Sequence, residues 1–158
     1  ILTTKGRTFA SSIVRRHRLA ERMVVDLLGL DLHKSHIEAH RLEHAISSEL
    51  EDMIVSRLGY PTTCPFGHPI PGSKYVRNGK SIPLSKAKNN QLLTIDRIPE
   101  DDQSLLEYFI FNKMIPGENV SVKDISKSRG VITLTCNSKD IVFGYGISSR
   151  IWAYPASN

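Results

Sequence analysis

The chain has 158 residues, a formal net charge of +5 and a pI near 9.3, a length that allows one domain or two small ones. With 40% hydrophobic residues it can bury a real core, and no apolar run approaches the ~18–20 residues of a membrane span. Its two cysteines, Cys64 and Cys136, stand in unrelated contexts, which argues against a disulfide framework and for a reducing cytoplasm. The basic balance permits a polyanionic partner such as nucleic acid without requiring one. Lys5, Arg7, Arg15, Arg16, Arg18 and Arg22 crowd the first helical region, where a solvated helix face accounts for them as well as phosphate contacts would. No signal peptide is visible. The chain begins without Met, and ILTTKGR reads as the end of a preceding element.

Residues 4–28 carry helical periodicity through Phe9, Ile13, Ala20, Val24, Leu27 and Leu28, and Gly29 ends that helix as a glycine cap. Asp31 is the expected N-cap of a second helix over 32–46. Ser48 followed by Glu51 has the capping-box pattern for a third helix, closed by Gly59 before Tyr60-Pro61. YPTTCPFGHPIPG (60–72), with four prolines and two glycines, reads as an ordered loop, and 73–82 as a polar, basic linker. The period then changes. LLTIDRI, NVSVKDI, GVITLTC, DIVFGYG and RIWAY read as strands, with one short helix through SLLEYFIFNK capped by Asp101 or Asp102. A small β-barrel is expected near 84–155.

Five of the six histidines fall between His17 and His44. His17 and Glu21 stand at i and i+4 on one helix face; His36, His40, Glu43 and His44 stand at i, i+4, i+7 and i+8 on the next. Imidazole with carboxylate suits a divalent transition metal, and two such faces packed together would hold one or two ions. The rival is a solvated His/Glu-rich face. There is no HExxH motif of a zinc hydrolase, and a carboxylate di-iron bundle would need Glu-x-x-His and more long helices.

HRLAER, GLDLHKSHIEAHRLEHAIS and CPFGHPIPG, with RIPEDDQSLLEYF and IPGENVSV further on, resemble the diphtheria toxin repressor family of metal-dependent transcriptional regulators, in the family's order and over nearly the whole chain. The resemblance implies an α+β architecture: a three-helix metal-binding and dimerisation domain (1–72), the linker 73–82, and a small SH3-like β-barrel (83–156). The family's N-terminal winged helix-turn-helix domain is not matched, and ILTTKGR resembles the exit from its wing. By position, the family's ancillary metal site falls on His17, Glu21 and His36, with Glu100 and Gln103 from the SH3-like domain. The primary site falls on His40, Glu43 and His44, plus a ligand from the N-terminal domain. His40 stands where the family places Cys in iron sensors and Glu in many manganese sensors.

The resemblance implies Fe(II) or Mn(II) as the cofactor, with Co(II), Ni(II) and Zn(II) able to substitute. Gln103 as a hard oxygen donor leans the first site to Mn(II) or Fe(II), whereas His40 leans the second to later metals. It further implies a cytoplasmic homodimer that binds palindromic operator DNA through the domain not matched here, with no membrane partner. Apolar residues left over once the helices pack, Met23, Leu27, Leu42 and Ile46, are the expected dimer contacts. The function expected is the metal-sensing and dimerisation portion of a DNA-binding repressor controlling iron or manganese homeostasis, not an enzyme. Two rivals to that reading are a metalloenzyme built on the His/Glu cluster and a non-metal adaptor. A further possibility has the SH3-like domain binding a Pro-rich segment of its own chain, such as IPLS or PIPG. Elsewhere the blander readings prevail: His33 and Glu38 as solvated, Cys64 and His68 as loop residues rather than ligands, Cys136 as a small core residue, and Trp152 as a core or interdomain anchor.

Overall fold

The computed structural model describes residues 3–156, and the chain divides into two compact units after Val76. In the first unit α1 (Thr4–Arg22) starts at Thr3, whose hydroxyl accepts from the Gly6 N–H at 3.1 Å. It runs on into a wider π turn, Met23–Leu27, and Gly29 at φ +70° reverses the chain. Then follow α2 (Leu32–Leu42) and α3 (Ser48–Arg57).

Three local expectations shift. Asp31 occupies the N-cap position of α2 but its side chain makes no capping bond. α2 ends at Leu42 rather than 46, and the turn that follows swings Ile46 inward until it is 3% exposed. The cap of α3 is Ser47, whose hydroxyl accepts from Leu50 N–H at 3.2 Å. Glu51 therefore lies beyond capping reach and instead accepts from Arg15 Nε at 2.5 Å and Arg16 Nε at 3.1 Å. The core that joins the three helices consists of Leu19, Ala20, Ala39, Ile46, Ile54 and Ile70, with Met23, Leu42, Val55 and Leu58 against it.

The proline-rich loop is held by α1. Proline supplies no N–H, so the loop's carbonyls need donors from elsewhere. Arg15, Arg18 and Arg22, one turn apart along α1, donate to Pro71 O (2.7 Å), Pro69 O (2.5 Å) and Thr63 O (2.8 Å). Within the loop Cys64 N–H bonds His68 O at 2.8 Å and Ile70 N–H bonds Thr62 O at 2.9 Å. These arginines thus have intrachain work, which answers the question their clustering raised.

The second unit is one antiparallel sheet in the order β1-β6-β2-β3-β4-β5. Its elements are β1 (Ile82–Pro83), β2 (Leu92–Arg97), α4 (Gln103–Phe111), β3 (Asn119–Ser126), β4 (Val131–Cys136), β5 (Lys139–Gly144), α5 (Tyr145–Ser148) and β6 (Trp152–Pro155). Alternation in β4 buries Ile132, Leu134 and Cys136, so Cys136 is core. Asp102 caps α4 through Leu105 N–H at 3.0 Å, and Phe109 packs on Phe143 with ring centroids 5.6 Å apart. The end of the expected linker joins this unit: Ser81 Oγ donates to Asp96 at 2.7 Å, and the Arg77 and Arg97 guanidinium groups stand 5.0 and 4.4 Å from the Trp152 ring centre. Trp152 is thus a partly exposed platform for two cations. Among the described residues no helix is long and apolar enough to cross a membrane.

The cap assignment is directly testable. Ser47→Ala is expected to destabilise the protein by about 1 kcal/mol, whereas Ser48→Ala is expected to be near neutral. Urea unfolding of both variants decides it, and the reverse ranking would restore Ser48 as the cap.

Candidate metal centre

α1 and α2 approach closely because the residues between them are small: Ala20, Ser35 and Ala39 are each 0% exposed. Next to Ala20 on α1 stands Glu21, with His17 one turn back; next to Ser35 and Ala39 on α2 stand His36 and His40. The result is a cluster in which His17 (7% exposed), Glu21 (0%) and Glu43 (8%) are buried. Side chains of His40 and His44 are 59% and 69% exposed, leaving one side open.

The centre of the cluster is a triangle of three donor atoms. His17 Nε2 lies 3.1 Å from Glu21 Oε1 and 3.1 Å from His36 Nδ1, and His36 Nδ1 lies 2.9 Å from Glu21 Oε1. His40 joins as a third imidazole, with its ring 4.5 Å from His17 and 4.7 Å from His36, and the ligand atoms of the three histidines lie within 4.8 Å of one another. On its far side His17 Nδ1 donates to Glu43 Oε2 at 2.7 Å. Glu43 is shared: Oε2 is 3.6 Å from His40 Nδ1 and Oε1 is 3.3 Å from His44 Nε2.

Two tests bear on whether these residues fit a divalent ion. Adjacent donors about 2.1 Å from one ion, at right angles, stand about 3 Å apart, which is the spacing of the triangle. The second oxygen of Glu21, Oε2, is buried and has no hydrogen-bond partner among the described residues, an arrangement that a cation would complete. Both fit.

Electrostatics agree. Burial works against a charged His17, but the carboxylates of Glu21 and Glu43 outweigh it and hold the imidazole's pKa above its ordinary value. For Glu21 burial works against the carboxylate, yet the hydrogen bonds from His17 and His36, the charge on His17 and the Cys64 thiol together hold its pKa below the ordinary value. In the metal-free protein two imidazole N–H groups thus converge on one buried carboxylate oxygen.

The structure brings His17, Glu21, His36, His40 and Glu43 together, with His44 at the rim. Glu43 links the two expected groups through its bond to His17. Glu100 and Gln103 belong to the second unit, just before α4 and in its first turn, where Gln103 Nε2 donates to Glu107 at 2.9 Å. Glu38 is half-buried and pairs with Arg41. The dimer expectation needs correction. Ile46 is a core residue, and Met23 and Leu42 pack against the same core, because the turn after α2 breaks the helical phase that had placed Ile46 outside. Leu27, 47% exposed, stays at the surface beside Leu28 at 70%. Cys64, expected as a plain loop residue, is fully buried, with its sulfur within 4.8 Å of a Glu21 carboxylate oxygen. Only the CPFGH pattern hinted at it.

Comparisons with known proteins point the same way. Residues 3–72 match the family described as iron dependent repressor, metal binding and dimerisation domain, and residues 82–155 match the FeoA domain. The chain is 34% identical over 151 residues to the diphtheria toxin repressor of Corynebacterium diphtheriae, covering 89% of this chain and 66% of that protein. It is 44% identical over 98 residues to the iron-dependent repressor IdeR of Mycobacterium leprae, covering 62% of this chain and 41% of that protein. A solved structure, a manganese-dependent transcriptional repressor in complex with manganese, superposes with a TM-score of 0.84 at 31% identity, covering 99% of this chain and 75% of that one. The chain belongs to the diphtheria toxin repressor family of metal-dependent transcriptional repressors, and its second unit has that family's SH3-like fold. It spans less than two thirds of the length of these two curated relatives.

The charges make stability depend on pH in the metal-free state. A raised His17 pKa gives stability that is complete below the ordinary value of 6.5 and is lost as pH rises through the folded-state value. A lowered Glu21 pKa gives stability present above its ordinary value of 4.5 and lost as pH falls through the folded-state value. With a chelator present, the melting temperature of the protein is expected to fall relative to that of His17→Gln as pH rises above 6.5. Scanning calorimetry across pH 5.5–9 checks it on the scale of about one titrating group; parallel curves for the two proteins would refute it.

Proposed function

We propose that this chain is the metal-sensing and dimerisation portion of a DNA-binding transcriptional repressor that controls iron or manganese homeostasis, with Fe(II) or Mn(II) as the effector. The observation that carries the reading is the triangle of His17 Nε2, His36 Nδ1 and Glu21 Oε1, every edge 3.1 Å or shorter, built across two helices. Those three residues hold the first ion, and Glu100 and Gln103 of the second unit complete its coordination. His40, Glu43 and His44 form the second, more open ligand group, finished by a residue outside these 158. A bound dication supplies positive charge that ties α1 to α2.

The chain's own residues do the rest. Glu43 orients His17 through Nδ1 and so aims Nε2 at the site. Ala20 and Ala39 fix the helix separation. Leu27 and Leu28 offer apolar surface for a two-fold contact with a second copy. Operator DNA is read by a part of the repressor beyond these residues, and metal binding biases two such parts toward the spacing of successive major grooves on a palindrome. The names of the relatives, iron-dependent and manganese-dependent repressors, support this choice of effector and partner.

The test is an anaerobic titration of the metal-free chain with Mn(II) and with Fe(II). Saturable binding of one or two ions per chain is expected, and His36→Ala is expected to weaken it at least about 10-fold. Glu100→Ala with Gln103→Ala is expected to weaken the tighter ion. Unchanged affinity in the double variant removes the second unit from the site, and unchanged affinity in His36→Ala overturns the sensor reading.

A further inference from the structure

We infer that the first unit holds a second binding site, apart from the metal centre, that takes a free aromatic amino acid as its zwitterion. The site is a cleft of about 470 Å³ between α1, α3 and both ends of the proline-rich loop, within the size range of small-molecule sites. None of the clustered histidines and glutamates lines it. Arg15 and Leu19 of α1 do, and His17 between them in sequence points the other way, a two-residue step being about 200° around the helix. The site is independent of the metal-sensing reading, which stands or falls by its own titration.

The floor of the cleft is apolar: Leu19 is 1% exposed, with half-buried Val55 and Pro61 beside it. Three charged groups line the same space. Arg15 is held by Glu51 through Nε at 2.5 Å and by Pro71 O through Nη1 at 2.7 Å, which leaves Nη2 unbonded among the described residues. Asp52 and Lys74 are exposed, and neither has an ion-pair partner among the described residues. Two cations and one carboxylate around an apolar floor match the groups that an α-amino acid carries on one carbon. Its carboxylate meets Arg15 and Lys74, its ammonium meets Asp52, and its side chain covers Leu19 and Val55.

The mouth of the cleft selects an aromatic side chain. Tyr60 lines it, 72% exposed, with its backbone at φ +59°. A bulky residue rarely adopts that left-handed conformation, and the proline that follows ordinarily keeps its predecessor extended. Gly59 at φ +70° and the bond from Tyr60 N–H to Val55 O at 2.9 Å hold the residue there at the end of α3. Strain of this kind persists only where the surroundings impose it, and it gathers at ligand clamps. Here it sets an aromatic ring at the entrance, where a ligand ring stacks against it.

The test is an NMR titration of the ¹⁵N-labelled chain with L-phenylalanine, with a chelator present. Saturable shifts are expected at the amides of Gly72, Ser73 and Lys74 and at the end of α3. 3-Phenylpropionate, which lacks the ammonium, and phenethylamine, which lacks the carboxylate, are each expected to bind about 10-fold more weakly. Asp52→Asn and Lys74→Gln change exposed side chains, so the fold is kept, and each is expected to weaken L-phenylalanine by about the same factor. Tyr60→Gly is expected to keep or raise the melting temperature, because glycine takes a positive φ freely, and yet to weaken L-phenylalanine. The inference is overturned if no saturable binding is seen up to about 10 mM, or if 3-phenylpropionate binds as tightly as L-phenylalanine. Wild-type affinity in Asp52→Asn or in Tyr60→Gly overturns it equally.

Discussion

Glu21 is a carboxylate with no access to water. Stripping an ionised carboxylate of water costs several kcal/mol unless charge and hydrogen bonds replace the solvent. His17 lies on the same helix, one turn back, and approaches Glu21 at 3.1 Å; His36 comes from α2 and approaches at 2.9 Å. The second partner can arrive only if α1 and α2 pack closely, and they do so over Ala20, Ser35 and Ala39. Replacing one of these by a larger residue would separate the helices and leave the carboxylate short of a partner. The first unit is therefore organised around this one acid, with the aliphatic core of Leu19, Ile46, Ile54 and Ile70 closing behind it.

A neighbouring face of α1 solves a different problem. A loop with four prolines between 60 and 72 has few N–H groups of its own, yet its carbonyls run close to the helix. Arg15, Arg18 and Arg22 satisfy them, and Arg15 and Arg16 also take up Glu51 of α3. Much of the positive charge that suggested a polyanion surface is thus spent inside the first unit. A guanidinium suits this because its planar fork reaches a carbonyl and a carboxylate at once, as Arg15 does. Lysine at the same positions would keep the charge and lose the geometry.

The helical part of the candidate site was legible in the sequence because its residues obey helical periodicity: His17 and Glu21, His36 and His40, each pair four apart. So were most strands, whose alternation survives in β4 as Ile132, Leu134 and Cys136 facing in. What could not be read depends on where helices stop. A turn after Leu42 moves Ile46 from the expected surface to the core, and a cap one residue earlier turns Glu51 from a capping residue into an ion-pair partner. β1 went unseen because two residues, one of them proline, carry no strand period. Cys64 escaped for a tertiary reason, since its nearness to Glu21 depends on arginine–carbonyl bonds that no spacing rule encodes.

The hydrogen bonds of the cluster hold its donor atoms in a fixed arrangement. His17 Nε2 and His36 Nδ1 both contact Glu21 Oε1, and the three atoms stand 2.9–3.1 Å apart. Helix packing and the Glu43 bond to His17 have already fixed the side-chain rotamers, which removes most of the ordering cost that a flexible site would pay on binding. Selectivity in such a site is then governed by donor chemistry rather than by folding around the ion. With imidazole nitrogens converging on one carboxylate oxygen, the donor chemistry at Glu21 is set by side chains of two helices whose separation is fixed by their alanines.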